Sequence, residues 1–185
     1  SSAASDVYKR QQNDSKAEPA TQKEAQAQAG GQQIAYVEID SIMSQYTYWK
    51  EVTKIMKAKE ANISKTLNGK QQQLQQAAAN FQQNVQANKY TQAQAQQIQA
   101  SIQKQAQDAE ALQQRLGAEY QNEVAKYNKA LADSVHNYLA QFNKDKKYAM
   151  ILAKSGDNIL YADKSLDITN EVVKGMNKAY KGMKK

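Results

Sequence analysis

The chain has 185 residues, a net charge of +7, no cysteine, one histidine, seven glycines and a single proline. Without cysteine there is no disulfide staple, no thiol nucleophile and no cysteine-ligated zinc or iron–sulfur site, and His136 alone cannot make a histidine-rich metal centre. The chain therefore reads as a non-enzyme with no cofactor. Scarce glycine and proline beside abundant Gln, Ala and Lys argue against an all-β domain and for long helices, and no apolar run is long enough to span a bilayer.

Residues 1–33 read as a disordered leader or linker. They hold almost no large apolar side chains, and their charges cancel, so little buried surface offsets an ordering entropy of about 1–2 kcal/mol per residue. The chain opens at Ser1, so a targeting segment is expected to have been removed upstream, with room for a lipid tether there. At Ile34 the pattern changes. Ala35, Val37 and Ile39 alternate with Ile34, Tyr36 and Glu38, which predicts a half-buried strand over 34–40, with Asp40 or Ser41 capping the helix that follows.

From Ile42 the period is helical for about a hundred residues. Ile42, Tyr46, Trp49, Thr53, Met56, Glu60, Ile63, Leu67, Lys70, Leu74, Ala77 and Phe81 follow a 4-3 spacing, a coiled-coil seam with polar interruptions. The first helix is predicted over 41–87, roughly 70 Å at 1.5 Å per residue. Asn88-Lys89-Tyr90-Thr91 breaks it, and Thr91 with Gln94 has the form of a capping box that starts a second helix. Its seam runs through Ile98, Ile102, Gln105, Ala109, Leu112 and Leu116. It then slips by one through Tyr120, Val124, Tyr127, Leu131, Val135, Tyr138 and Phe142, the signature of a stutter.

A short break between two long periodic helices makes them antiparallel neighbours. Reflection about the break sets Phe81 against Ile98, Leu67 against Leu112, Ile63 against Leu116 and Trp49 near Leu131. Between Gln71 and Gln107 the hairpin is mostly Gln, Ala and Asn, with Lys89 and Lys104 among its few charges. Alanine and glutamine favour helix, but alanine buries little surface at roughly 25 cal/mol per Å², so this stretch is expected to be helical yet loosely paired.

Beyond Asn143 the residues 148–153 read as a strand, Ser155-Gly156-Asp157-Asn158 as a turn, and 159–161 as a returning strand that completes a hairpin. Thr169 is expected to cap a last helix, with Ile168 and Val173 as its hydrophobic staple. Asp157, Asp163 and Asp167 lack the order of a calcium loop and read as turn and capping residues, so no metal is expected. The fold class is mainly α with a small β part (α+β). A helical hairpin arm over 42–143 projects from a β body built by 34–41 and 144–185. Three short strands and one helix make a small core with unpaired edges, so the body is expected to oligomerise. Val37, Ile39, Ile151, Leu160, Tyr161, Ile168 and Val172 are its candidate residues.

Ile34-Ala35-Tyr36-Val37-Glu38-Ile39-Asp40, the Gln-rich hairpin, and Asp157-Asn158-Ile159-Leu160-Tyr161-Ala162-Asp163 with Asp167-Ile168-Thr169 and Val172 together resemble the Skp (OmpH-like) periplasmic chaperones. The resemblance covers about 34–180. It implies a homotrimer whose strands share a central β body and whose three hairpins enclose a cavity. It further implies an ATP-independent holdase in the Gram-negative periplasm whose partners are unfolded outer-membrane β-barrel proteins, with contact to the membrane surface or lipopolysaccharide. One departure matters: the distal hairpin is nearly uncharged, whereas residues 50–70 carry six lysines against Glu51 and Glu60. Electrostatic capture is therefore expected near the body. The client-contact candidates are Lys50, Lys54, Lys57 and Lys65, with Phe81 and Tyr90 toward the tip. A structural coiled-coil scaffold of the envelope is the alternative. No nucleic-acid reading module is present, so no specific nucleic-acid partner is expected.

Overall fold

The computed structural model describes residues 33–183. The leader expected over 1–33 thus lies, Gln33 aside, outside the described residues. In chain order the elements are β1 (Gln33–Glu38), α1 (Ile39–Gln45), α2 (Thr47–Gln86), α3 (Gln92–Phe142), β2 (Tyr148–Lys154), a 3₁₀ turn (Lys164–Leu166) and α4 (Thr169–Ala179). Two long helices form a hairpin, accompanied by a two-stranded sheet and a C-terminal helix. Among the described residues there are two compact units. One takes the residues up to Ser44 with Asn137–Ala179, and the other takes Gln45–His136 with the residues from Tyr180 onward.

In the first unit β1 and β2 pair in parallel, with Ala35 opposite Ile151 and Val37 opposite Ala153. On the other side of β1, Tyr36 bridges to Asp167, and the Ile168 N–H donates to the Tyr36 carbonyl at 3.1 Å. β1 is thereby enclosed, and Ala35, Tyr36 and Val37 are all buried. α4 supplies the rest of the core from one face, with Val172, Val173 and Met176 buried at the 3-4 spacing of an amphipathic helix. Asn143 fixes the start of β2. Its side-chain amide donates to the Tyr148 carbonyl at 2.9 Å, and its carbonyl accepts the Tyr148 N–H at 3.0 Å. The Tyr148 ring stacks on Phe142, 6.5 Å between centroids.

Several expectations are corrected. The returning strand at 159–161 is absent: the Asn158 side chain donates to the Ala153 carbonyl and accepts from the Ser155 N–H, occupying backbone groups that a returning strand would need. Leu160 and Tyr161 instead stand 92% and 87% exposed, far from any core. The cap of α4 is Asp167, whose carboxylate accepts the Thr169 N–H at 2.9 Å; Thr169 turns its own hydroxyl oxygen to the Glu38 N–H at 2.8 Å. Helix starts at Ile39, ahead of Asp40 and Ser41, and Ser41 donates to the Glu38 carboxylate. The long first helix is interrupted at Tyr46, whose extended backbone (φ −71°, ψ 119°) accompanies a ring that is 5% exposed.

Thr169 is the polar joint of this unit: it is buried, and it links β1, the Asp167 cap and α4. Thr169→Val keeps the shape but leaves the Glu38 N–H without its acceptor. A loss of about 1–3 kcal/mol in urea unfolding is expected, with Thr169→Ser retaining most of the stability.

Gly175 marks a close approach in the same unit, since a Cβ there would run into the Tyr138 hydroxyl oxygen. Gly175→Ala must therefore displace the Tyr138 ring, and a cost of about 1–3 kcal/mol is expected in the same measurement. Tyr138→Phe, which removes the nearest atom, should recover part of that cost.

Candidate functional site

The hairpin unit is built by α2 and α3. Val52, Met56 and Val135 are buried, whereas Ile63, Leu67, Leu112, Leu116 and Leu131 are half-buried along the facing stripes. The expected seam holds at its large apolar positions, while Thr53 and the polar positions Glu60, Lys70 and Gln105 fall outside it. Val52 (2% exposed) fills the position assigned to Thr53, which faces outward and donates to the Trp49 carbonyl. The 49-52-56 spacing is 3-4, equally compatible with a heptad seam. The charged positions Glu60 and Lys70 lie exposed, as does Gln105.

The hairpin tip follows its local chemistry. The Thr91 N–H donates to the Gln94 side-chain carbonyl at 3.0 Å, and the Gln94 N–H donates back to Thr91 Oγ1 at 3.2 Å, a reciprocal capping box. Asn88 takes the left-handed conformation (φ 54°) that lets the chain reverse. Tyr90 is not a free ring. It is half-buried, stacks on Phe81 with centroids 6.2 Å apart, and accepts a hydrogen bond from Asn84 at 2.7 Å.

Between tip and base an open groove of about 820 Å³ runs along the two helices, lined by Leu74 and Ala77 of α2, Ala109 and Leu112 of α3, and by glutamines and charged side chains at its edges. On α2 it falls in the Gln/Ala-rich stretch, where small seam residues offer little apolar area for burial. Nearer the base, Lys59 of α2 and Glu123 of α3 form an ion pair across the hairpin, and that bond holds the Lys59 ammonium above its ordinary pKa. The Arg115–Glu119 and Lys129–Asp133 pairs are exposed one-turn contacts, a class that adds little stability.

Lys50, Lys54, Lys57 and Lys65 are all exposed on α2. Their spacing puts them on one side of that helix. At the base, the rings of Tyr46, Tyr48 and Tyr180 lie 5.7 to 6.0 Å apart, and the Tyr180 hydroxyl donates to Glu51. Tyr180 was not legible as part of this cluster, because its partners lie more than a hundred residues away in the chain. Burial pushes the pKa of all three tyrosines up; the Glu51 carboxylate pushes Tyr180 further, and Tyr127 and Tyr46 add to the shift of Tyr48.

Of the residues assigned to the body, Val37, Ile168 and Val172 are buried, Ile39 and Ile151 are half-buried, and Leu160 and Tyr161 point into solvent. β2 is apolar in sequence but mostly exposed, with Met150 52% and Leu152 38% accessible, and Ile34 of β1 is similar at 46%. Its outer edge pairs with no strand among the described residues. Among those residues there is also no metal-binding cluster of His, Cys, Asp or Glu, and no helix is long and apolar enough to cross a membrane.

With both units described, the chain can be compared with known proteins. The family model described as outer membrane protein (OmpH-like) matches residues 33–176, and the chain belongs to that family. Among solved structures it is similar to a Caulobacter crescentus CB15 protein, provisionally described as an outer membrane chaperone (OmpH-like). The TM-score is 0.68 at 16% sequence identity, over 83% of this chain and 89% of that one. No curated protein matches.

The tyrosine cluster gives a pH prediction. A tyrosine whose folded pKa is raised binds its proton more tightly when folded, so its contribution to stability is complete at neutral pH. That contribution is lost as pH rises past the unfolded value of about 10 toward the folded one. In an alkaline titration followed by tyrosinate absorbance, the cluster should ionise after the other tyrosines. Glu51→Gln should bring Tyr180 earlier.

Proposed function

We propose that this chain is an ATP-independent holdase of the periplasm that keeps unfolded outer-membrane β-barrel proteins from aggregating. The observation that carries the reading is membership of the OmpH-like family over residues 33–176, joined to a helical hairpin with a large open groove lined by amides and small apolar side chains. Such a surface offers many weak contacts and demands no particular client sequence. Lys50, Lys54, Lys57 and Lys65 would attract acidic stretches of a client at long range, an effect that salt weakens. Phe81 would contribute apolar contact near the tip, with Tyr90 contributing less because its ring is already engaged.

In this reading the chain works as a homotrimer. The body spans 34–41 and 144–185, and the arm spans 42–143. The open edge of β2 and the exposed Met150, Leu152, Leu160 and Tyr161 support association through the body. An apolar strand edge left in water is an invitation to pair with another chain, and each large apolar side chain buried there contributes about 1.5–3 kcal/mol. Three hairpins held together would bind one client at several points, and effective concentration would supply affinity that no single contact has. Contact with the membrane surface or lipopolysaccharide would fall to the lysine-rich stretches, since the tips carry few charges.

The test is dilution of a denatured outer-membrane β-barrel protein into buffer with and without this protein, followed by light scattering. Suppressed aggregation that weakens at high salt is the expected outcome. A stable oligomer with no effect on scattering would replace the holdase reading with that of an envelope scaffold.

Replacing Leu160 and Tyr161 together by Asp should leave the helical circular dichroism intact and shift sedimentation to the monomer, association weakening by more than about tenfold. An unchanged sedimentation coefficient would remove those two residues from the interface.

A further inference from the structure

Near the base of the hairpin, α2 and α3 leave a second, smaller groove. Val52 and Met56 form its floor, and the half-buried side chains of Trp49, Tyr120, Val124 and Tyr127 form its walls. Its volume is about 230 Å³. That is several times the roughly 30 Å³ share of a liquid water, yet below the roughly 300 Å³ at which pockets for whole small molecules begin. The groove has room for one large side chain. Its lining is apolar and aromatic, which suits a ring entering edge-on or offset against Trp49, Tyr120 and Tyr127.

The charges in the lining itself are one lysine, Lys57, and one glutamate, Glu60. Lys57 continues a stripe with Lys50 and Lys54, at i, i+4, i+7 spacing, on the neighbouring face of α2. All three are exposed, and among the described residues no carboxylate forms an ion pair with any of them. Across the groove the same helical spacing on α3 gives Gln121, Ala125 and Asn128, all neutral. Glu60 is the single acid in the lining. The opposite face of the hairpin differs, for there Glu119 and Glu123 lie with Lys126 around a separate depression, and Glu123 is held by Lys59.

We propose that this groove is a side-chain pocket for an unfolded polypeptide: it takes an aromatic side chain of a segment whose neighbouring residues are acidic, with Lys57 at the groove and Lys50 and Lys54 on the neighbouring face attracting the carboxylates. The proposal rests on the holdase reading and deepens it by naming the kind of client segment held and where. Charge complementarity selects the occupant. Around an apolar slot one side chain wide, the three unpaired ammonium groups of α2 outnumber the one carboxylate of the lining, Glu60, which matches a ring flanked by Asp or Glu. A ring flanked by Lys or Arg would meet repulsion along the stripe.

Trp49 is the chain's only tryptophan, so its fluorescence reports on the groove without any label. The full chain is titrated with a short peptide that carries one Phe between Asp and Ser residues and has no Tyr or Trp. Two companion peptides replace Phe by Ala, or Asp by Lys. A saturable blue shift is expected with the first peptide, weakened about tenfold or more without the ring. It should also weaken several-fold with Lys flanks, at high salt, or in a Lys54→Gln/Lys57→Gln variant. Those two lysines are exposed, and unchanged circular dichroism verifies the fold of the variant. Equal responses to the Phe and Ala peptides would overturn the pocket.

So would a shift produced by raising protein concentration alone, which would mark a second copy as the occupant. A shift on removing residues 1–32 would do the same by marking that segment, and an equal or larger shift with anionic phospholipid vesicles by marking a lipid surface. If Trp49 is silent while aggregation of the denatured β-barrel protein is still suppressed, the pocket falls and the holdase stands. If suppression itself is missing, it is the holdase reading that falls.

Discussion

A hairpin of two helices has no third layer to lean on, so each helix can bury only the stripe that faces the other. That constraint governs the hairpin unit. Most seam side chains stay half-buried, and full burial is reached only near the base, at Tyr46, Val52, Met56 and Val135. Where the stripe is branched or aromatic the helices hold together, and the Lys59–Glu123 pair crosses between them. Where alanine and glutamine predominate, the stripe buries less and an open groove runs beside it. Helix is not lost there, because Ala and Gln favour helical backbone whether or not a partner is near. Helicity and pairing are thus set by different properties of the same residues.

The other unit solves the reverse problem. Its sheet has only two strands among the described residues, yet β1 is buried on both faces, because α4 and the Asp167–Ile168 segment close over it. Thr169 makes this closure polar as well as apolar, satisfying a β1 amide while Asp167 caps the helix. What is left over is apolar surface turned outward on β2 and at Leu160 and Tyr161. Several large apolar residues exposed in one unit are a feature of interaction surfaces, and association through the body is the use proposed here.

In the proposed reading one unit supplies association and the other a large, weakly adhesive surface. The electrostatics follow the same division. The uncharged distal hairpin can contribute hydrogen-bonding amides and small apolar patches, while long-range attraction belongs to the lysines of α2 and of the C-terminal segment. The groove walled by Trp49, Tyr120 and Tyr127 lies where both kinds of interaction meet on one helix face.

Local rules were readable in the chain alone. Helical periodicity repeats every few residues, so the seam from Trp49 to Phe81 and from Ile98 to Val135 could be traced, and the Thr91–Gln94 box and the Ser155–Asn158 turn are complete within four residues. The sequence by itself determined two long helices, the point where they reverse and the resemblance to the OmpH-like family. Only the tertiary structure decided the parallel pairing of β1 with β2, the break at Tyr46 that accompanies its burial, the choice of Val52 over Thr53, and the failure of 159–161 to return as a strand. It also gathered Tyr180 onto Tyr46 and Tyr48 and opened the groove beside Trp49. These outcomes depend on which distant groups compete for the same backbone amide or the same buried volume. A pattern with a period of two or 3.6 residues carries no record of that competition.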